Sequence, residues 1–149
     1  MNTSASEPED GAAQALRQLA QGYAQAVDRN DPELLISLMT EDAVIEGPGF
    51  QLSGKAEIGT IPGMLKQRYR LTRHLVHQQN AQIEAGRAYG ETHAEASHVY
   101  DDPAAGTQVL VWHLRYQDEF ANHGGRWLFA RRRLLIDWTE IRPAILPSS

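Results

Sequence analysis

Apolar side chains return at three- and four-residue steps from Ala12 through Leu16, Leu19, Ala20, Tyr23, Ala26 and Val27. That spacing predicts a helix with one buried face, and Asp10 is placed to cap its start. Asn30-Asp31-Pro32 stops this helix and opens a second, with Asp31 at the N-cap and Pro32 in the first helical position. The second helix, over 33–39, buries Leu34, Leu35, Leu38 and Met39. A short strand over 43–46 ends at Gly47-Pro48-Gly49. A third helix over 56–67 is weakened in its middle by Gly59 and Pro62-Gly63, which predicts a kink or two short helices. After Tyr69 the period falls to two. Residues 71–84, 87–100, 107–120 and 127–138 read as four long strands joined by hairpin connections at Ala85-Gly86, 101–106 and 122–125. Helices first and antiparallel strands afterwards predict an α+β fold, with the helices packed on one face of a bent sheet.

Alternation also sorts the faces. In the second long strand Ala88, Gly90, Thr92, Ala94, Ala96 and His98 share one side. Side chains this small either admit a close-packed helix or leave space, and because the row ends in His98 the preferred expectation is the floor of a cavity. The next strand puts Leu110, Trp112, Leu114, Tyr116, Asp118 and Phe120 on one face. Val109, Val111, His113, Arg115, Gln117 and Glu119 lie on the other, which reads as a solvent-facing or subunit-facing surface.

At 149 residues, 42% hydrophobic and 22% charged, the chain suits one domain over 11–140, between a polar, disordered tail over 1–10 and a C-terminal tail over 141–149. A net charge of −5, with basic residues dispersed apart from Arg131-Arg132-Arg133, argues against nucleic-acid binding. The arginine run predicts a solvated face plus one buried partner for Asp118 or Asp137. The absence of cysteine removes thiolate nucleophiles and disulfides, and is compatible with a cytoplasmic location. No stretch suggests a membrane span or a signal segment.

The candidate chemistry lies in Asp28 and His74, because a carboxylate that orients an imidazole makes a general base able to work near neutral pH without a metal. The first falls at the end of a helix and the second at the start of a strand, so their meeting must be tertiary. The blander readings are a helix-end carboxylate bonding nearby amides and a strand histidine bonded to a carbonyl. The six histidines show no His-Glu-x-x-His or comparable spacing, and neither a metal nor another cofactor is expected. Trp112, Trp127 and Trp138 at strand spacing read first as core or interface.

The order Tyr23 to Asp28, Asp31-Pro32-Glu-Leu-Leu35, Asp42-Ala-Val44, Gly54-Lys-Ala-Glu-Ile58, Thr72-Arg-His74, Trp127-Leu-Phe129 and Asp137-Trp138 resembles the SnoaL-like branch of the NTF2-like superfamily. The resemblance spans nearly all of 11–138. It implies a cone in which a curved antiparallel sheet encloses a cavity covered by N-terminal helices, often dimerising through the outer sheet face. The superfamily includes dehydratases, isomerases, polyketide cyclases and a dehydrochlorinase, several of which use an Asp-His dyad at the positions matching Asp28 and His74. His98 resembles the second histidine of scytalone dehydratase, and Tyr23 the tyrosine of bile-acid 7α-dehydratase. The tyrosines that hold a water on the substrate carbonyl of scytalone dehydratase are replaced here by Val27 and Gly47.

On this reading His74 removes a proton α to a carbonyl, Asp28 fixes its tautomer, and Tyr23 or His98 donates to the oxyanion or the departing hydroxide. Trp112, Tyr116, Phe50 and Met64 are the candidate substrate-binding side chains. The expected activity is a cofactor-independent dehydratase, a lyase, for a small, mostly apolar, ring-containing hydroxy-carbonyl compound, in a homodimer. An isomerase or cyclase with the same dyad, or a non-catalytic small-molecule binding module, is the alternative.

Overall fold

The computed structural model describes residues 3–148, with side chains from residue 11 onward. Helix α1 runs Thr3–Asp28, so Asp10 falls inside it and not at its cap. The side chains of the expected tail over 1–10 lie outside the described residues. Helix α2, Pro32–Ser37, starts as anticipated, with the Leu34 amide donating to Asp31 Oδ1 at 3.0 Å. It ends before Met39. The Phe129 amide donates to Leu38 O, and Met39 pairs with Phe129, so tertiary pairing draws this residue into strand β1, Met39–Gly47.

Strand β2, Phe50–Ser53, was not foreseen; it folds back on β1 through a turn in which Gly49 has φ +79°. The third helical region divides into α3, Gly54–Ile58, and α4, Ile61–Arg68, at Gly59-Thr60. Strands β3 Leu71–Glu84, β4 Arg87–Asp102, β5 Gly106–His123 and β6 Arg126–Pro143 follow. The last outruns its expected end because Ile141, Arg142 and Pro143 still find partners in Leu110, Val109 and Gln108.

The strand order is β2-β1-β6-β5-β4-β3, antiparallel except for β1 beside β6. Register shifts interrupt β3 against β4 after Val76, and β5 against β6 after His113 and Glu119. Such shifts bend the strands they occur in, and the sheet is curved, with the N-terminal helices on its inner side. The buried stripe of α1, including Leu16, Leu19, Ala26 and Val27, joins Ala94, Leu114 and Phe129 in one core. Ala88, Thr92, Ala94, Ala96 and His98 all face inward and are buried, as alternation requires.

The outer face carries exposed Leu71, Leu75 and Trp138 beside two rows of ion pairs. His77 meets Glu95 and His93 meets Glu91, each at 3.3 Å, while His113 lies between Glu95 and Glu140. No described helix is long and apolar enough to cross a membrane.

Candidate active site

Asp28 closes α1, and the chain then reverses through Asn30, which sits at φ 53°. This delivers the carboxylate to β3, an edge strand. The amides of β3 that turn away from β4 need a partner, and Asp28 supplies one, accepting the His74 amide at Oδ2 over 2.7 Å. Its Oδ1 lies 2.7 Å from His74 Nδ1 and accepts the Thr72 hydroxyl at 3.0 Å. Burial alone would raise the Asp28 pKa, but the bonds from the His74 ring and amide and from Thr72, with the charge of His74, outweigh it and hold the carboxyl below its usual range. An ionised carboxylate can only accept, so Nδ1 carries a hydrogen, and in the neutral ring the lone pair is the one on Nε2.

His98 stands 6.1 Å from His74, ring centre to ring centre, and is 1% exposed. Tyr69 and Trp112 flank it at 4.7 and 4.6 Å. Its Nδ1 is 3.0 Å from the carbonyl oxygen of Leu110, its pairing partner on β5. A carbonyl accepts only, so Nδ1–H donates. Burial pushes the imidazole pKa down to about 4, which the Leu110 bond opposes and the neighbouring His74 reinforces. At neutral pH His98 is therefore uncharged with a bare Nε2. The expectation that it offers a proton to a leaving group does not hold for the ring as it stands.

Two openings border the dyad. A groove of about 510 Å³ between α1 and β3 is lined by Gln21, Ala24, Gln25, Asp28, His74 and His77, among others. A cleft of about 220 Å³ between the end of α1, α4 and the start of β3 includes Val27, Asp28, Pro62, Leu65, Tyr69 and Thr72. The groove is the one that His74 itself lines, while the smaller cleft runs from Asp28 and Thr72 to Tyr69, the ring beside His98. Neither opening is floored by Ala88, Ala94 or Ala96, which are sealed in the core.

The remaining candidates divide. Trp112 touches His98. Tyr23 and Tyr116 face each other edge-on at 5.7 Å in an aromatic box around Arg132, whose guanidinium lies 4.5 and 3.7 Å from their ring centres. Burial, against the pull of Arg132, raises the pKa of Tyr23 and keeps it protonated, but it lines neither opening beside Asp28. Phe50, 39% exposed, lines a different groove with Glu46, Gly47 and Arg133, because β2 forms the far edge of the sheet. Met64 is 49% exposed, on a turn of α4 away from the cleft that Pro62, Leu65 and Tyr69 line. The dyad and these two side chains are not brought together.

Arg132 pairs with Asp118 at 2.7 Å, both side chains buried, while Asp137 takes Arg115 instead. Two contributors escaped the sequence reading. Thr72 shares a strand face with His74, which alternation could have revealed; Tyr69 lies between a helix and a strand, where no period applies. Among the described residues no three His, Asp or Glu side chains gather as metal ligands.

A curved, mostly antiparallel sheet with N-terminal helices on its inner side, and a carboxylate clamped to a histidine where the first helix meets the sheet edge, defines an NTF2-like domain. Within that superfamily the chain belongs to the SnoaL-like domain family, whose model matches residues 12–133. A hexachlorocyclohexane dehydrochlorinase (LinA) of type 2 superposes with a TM-score of 0.83 at 17% identity, over 95% of each chain. A Novosphingobium aromaticivorans protein assigned provisionally to the scytalone dehydratases gives 0.81 at 21% identity, over 91% of this chain and 90% of that one. Rv3472, a Mycobacterium tuberculosis protein of unknown function, gives 0.78 at 22% identity, over 88% and 75%. At these identities the likeness is one of fold. No curated protein sequence matches the chain.

Proposed function

We propose that this protein is a cofactor-independent lyase, a dehydratase that acts on a small, mostly apolar, ring-containing hydroxy-carbonyl compound with His74 as general base. The observation that carries this reading is the three-point hold of Asp28 on the Thr72–His74 segment, which orients the ring and leaves Nε2 free. His74 Nε2 takes the proton α to the carbonyl, and the electron pair of that C–H bond forms the enolate. Collapse of the enolate makes a carbon–carbon double bond and breaks the C–O bond to the β-hydroxyl. The proton held on His74 leaves with that hydroxyl as water. One imidazole thus serves both steps, since His98 at rest has no proton to give from Nε2. Returning the proton to carbon instead would make the same site an isomerase.

A positioned base of this kind contributes about 10²–10⁴-fold. The test is deuterium incorporation from solvent at the α-carbon of a panel of cyclic ketones and β-hydroxyketones, followed by NMR. His74→Ala should cut exchange by at least about 100-fold. No exchange by the native protein across a panel shown to bind would overturn the reading and leave a binding module. We also propose that two copies pair through the outer sheet face, where Leu71, Leu75 and Trp138 are exposed.

A further inference from the structure

Helix α1 lies along the free edge of β3 and is fastened to it at two points. Arg17, Gln21, Ala24 and Asp28 succeed one another at steps of four, three and four, so they form one stripe of the helix. At one end Asp28 accepts the His74 amide. At the other, Arg17 Nη2 donates to the Val76 carbonyl at 3.1 Å and Nη1 to that of His77. Between these clamps the stripe shrinks to the methyl group of Ala24. The groove of about 510 Å³ opens there, bordered by Gln21 and Gln25 on the helix and by Leu75 and Val76 on the strand. In an antiparallel ladder a residue exchanges both its N–H and its C=O with the neighbouring strand, or neither. His74 gives its amide to α1 and Val76 its carbonyl, and the register with β4 is regular as far as Val76, so both belong to the row that turns away from β4. That leaves the His74 carbonyl and the Val76 N–H facing the groove, neither with a hydrogen-bond partner among the described residues.

These two groups are the pair that one residue of a parallel strand uses, donating to the first and accepting from the second. A longer strand cannot follow. Its next residues would need the His74 amide on one side and the Val76 carbonyl on the other, and Asp28 and Arg17 already hold those. Antiparallel pairing would call on the same two groups and is blocked in the same way. The edge therefore refuses a partner's β-strand and keeps room for a single amide unit. We propose that the groove is a binding site for small amides of the N-acyl amino acid kind, whose N–H donates to the His74 carbonyl and whose carbonyl accepts the Val76 N–H. The site lies beside the dyad but uses the main chain of His74 and not its ring, so it does not rest on the lyase reading. An N-methylated amide is rejected, because it leaves the His74 carbonyl desolvated and unpaired.

The test uses N-acetylglycine dimethylamide as the probe and N-acetylsarcosine dimethylamide, which carries a methyl group in place of the one N–H, as the control. Both are titrated into ¹⁵N-labelled protein and followed by NMR and by amide exchange with solvent deuterium. In the free protein the Val76 amide should exchange fast, while the His74 amide is protected by Asp28. The probe should shift the Val76 resonance, slow its exchange and bind about tenfold tighter than the control. Val76→Pro removes the donor without breaking a ladder bond and should weaken the probe about tenfold. Ala24→Leu, which fills the groove, should abolish binding. If neither variant folds, the Val76 amide of the native protein decides the matter. A Val76 amide already protected in the free protein, equal binding of the two compounds, or binding of neither overturns the proposal. Probe binding at Val76 without α-deuterium exchange on any ketone would sustain it while removing the proposed lyase activity, so the two failures are distinguishable.

Discussion

His98 gives up its charge in order to stay inside the sheet. In an unfolded chain its imidazole titrates near 6.5, but in the folded protein at about 4, chiefly through burial between Tyr69 and Trp112. The other groups that act on it are Leu110 O, His74 and Asp28. Between those values the unfolded state binds the extra proton, so stability rises with pH through this window. The contribution is complete above 6.5 and is lost as pH falls toward 4, for a change of up to about 3 kcal/mol. Asp28, whose pKa is depressed, acts in the acid range below its own unfolded value and leaves this window to His98. Urea unfolding at pH 7.5 and pH 4 should show the native protein losing more stability than His98→Gln by up to that amount. Equal losses would mean that the ring is not buried in its neutral form. The alternation of β4 was enough to turn His98 inward; its tautomer came from a carbonyl on another strand, which no local pattern records.

The strands are tied together by more than their backbone ladder. Gln79 on β3 donates to the Thr92 hydroxyl on β4 at 3.0 Å, Thr92 to Asp118 on β5 at 2.9 Å, and Arg132 on β6 donates twice to the same carboxylate. This polar rung crosses four strands within the core. A buried pair is costly to break, because the survivor keeps its charge without a partner, typically about 3–5 kcal/mol. Asp118→Ala should destabilise by about that much in denaturant titration, and Asp118→Leu combined with Arg132→Met should recover most of the loss. A single substitution that costs no more than the double would show that the pair is not coupled. The sequence carried a partial signal here: Asp118 stands in an otherwise apolar row, and a charge on an inward face calls for a partner. Which arginine answered depended on the β5–β6 register, which pairs Asp118 with Arg132.

Across the whole molecule the two sides of the sheet do different work. The inner side holds α1, His74 and His98; the outer side carries exposed Leu71, Leu75 and, at 57% exposure, Trp138 stacked on His113. Large apolar side chains around internally compensated ion pairs suit a self-complementary contact. Sedimentation should find the native protein dimeric and Leu75→Glu monomeric, with the fold retained by circular dichroism. A monomeric native protein would dismiss this face as the interface.

The sequence by itself determined the elements and the sides they present. A helical period over 12–27, strict alternation after Tyr69 and the stops at Pro32, Gly49 and Gly59 are local properties that the backbone must satisfy wherever the chain goes. Even so, β2 escaped notice because four residues are too few to display a period, and Met39 was misplaced because pairing with Phe129 outweighed its place in a helical pattern. The site belongs to the tertiary structure. Asp28 and His74 are 46 positions apart, and only the packing of α1 along the edge of β3 brings them within a hydrogen bond. Phe50 and Met64 could be named as apolar but not aimed, since composition says how much surface a chain will bury and not which surface meets which. Hydrogen bonds are decided by direction over about 3 Å, and direction of that kind exists only once distant elements have been set against one another.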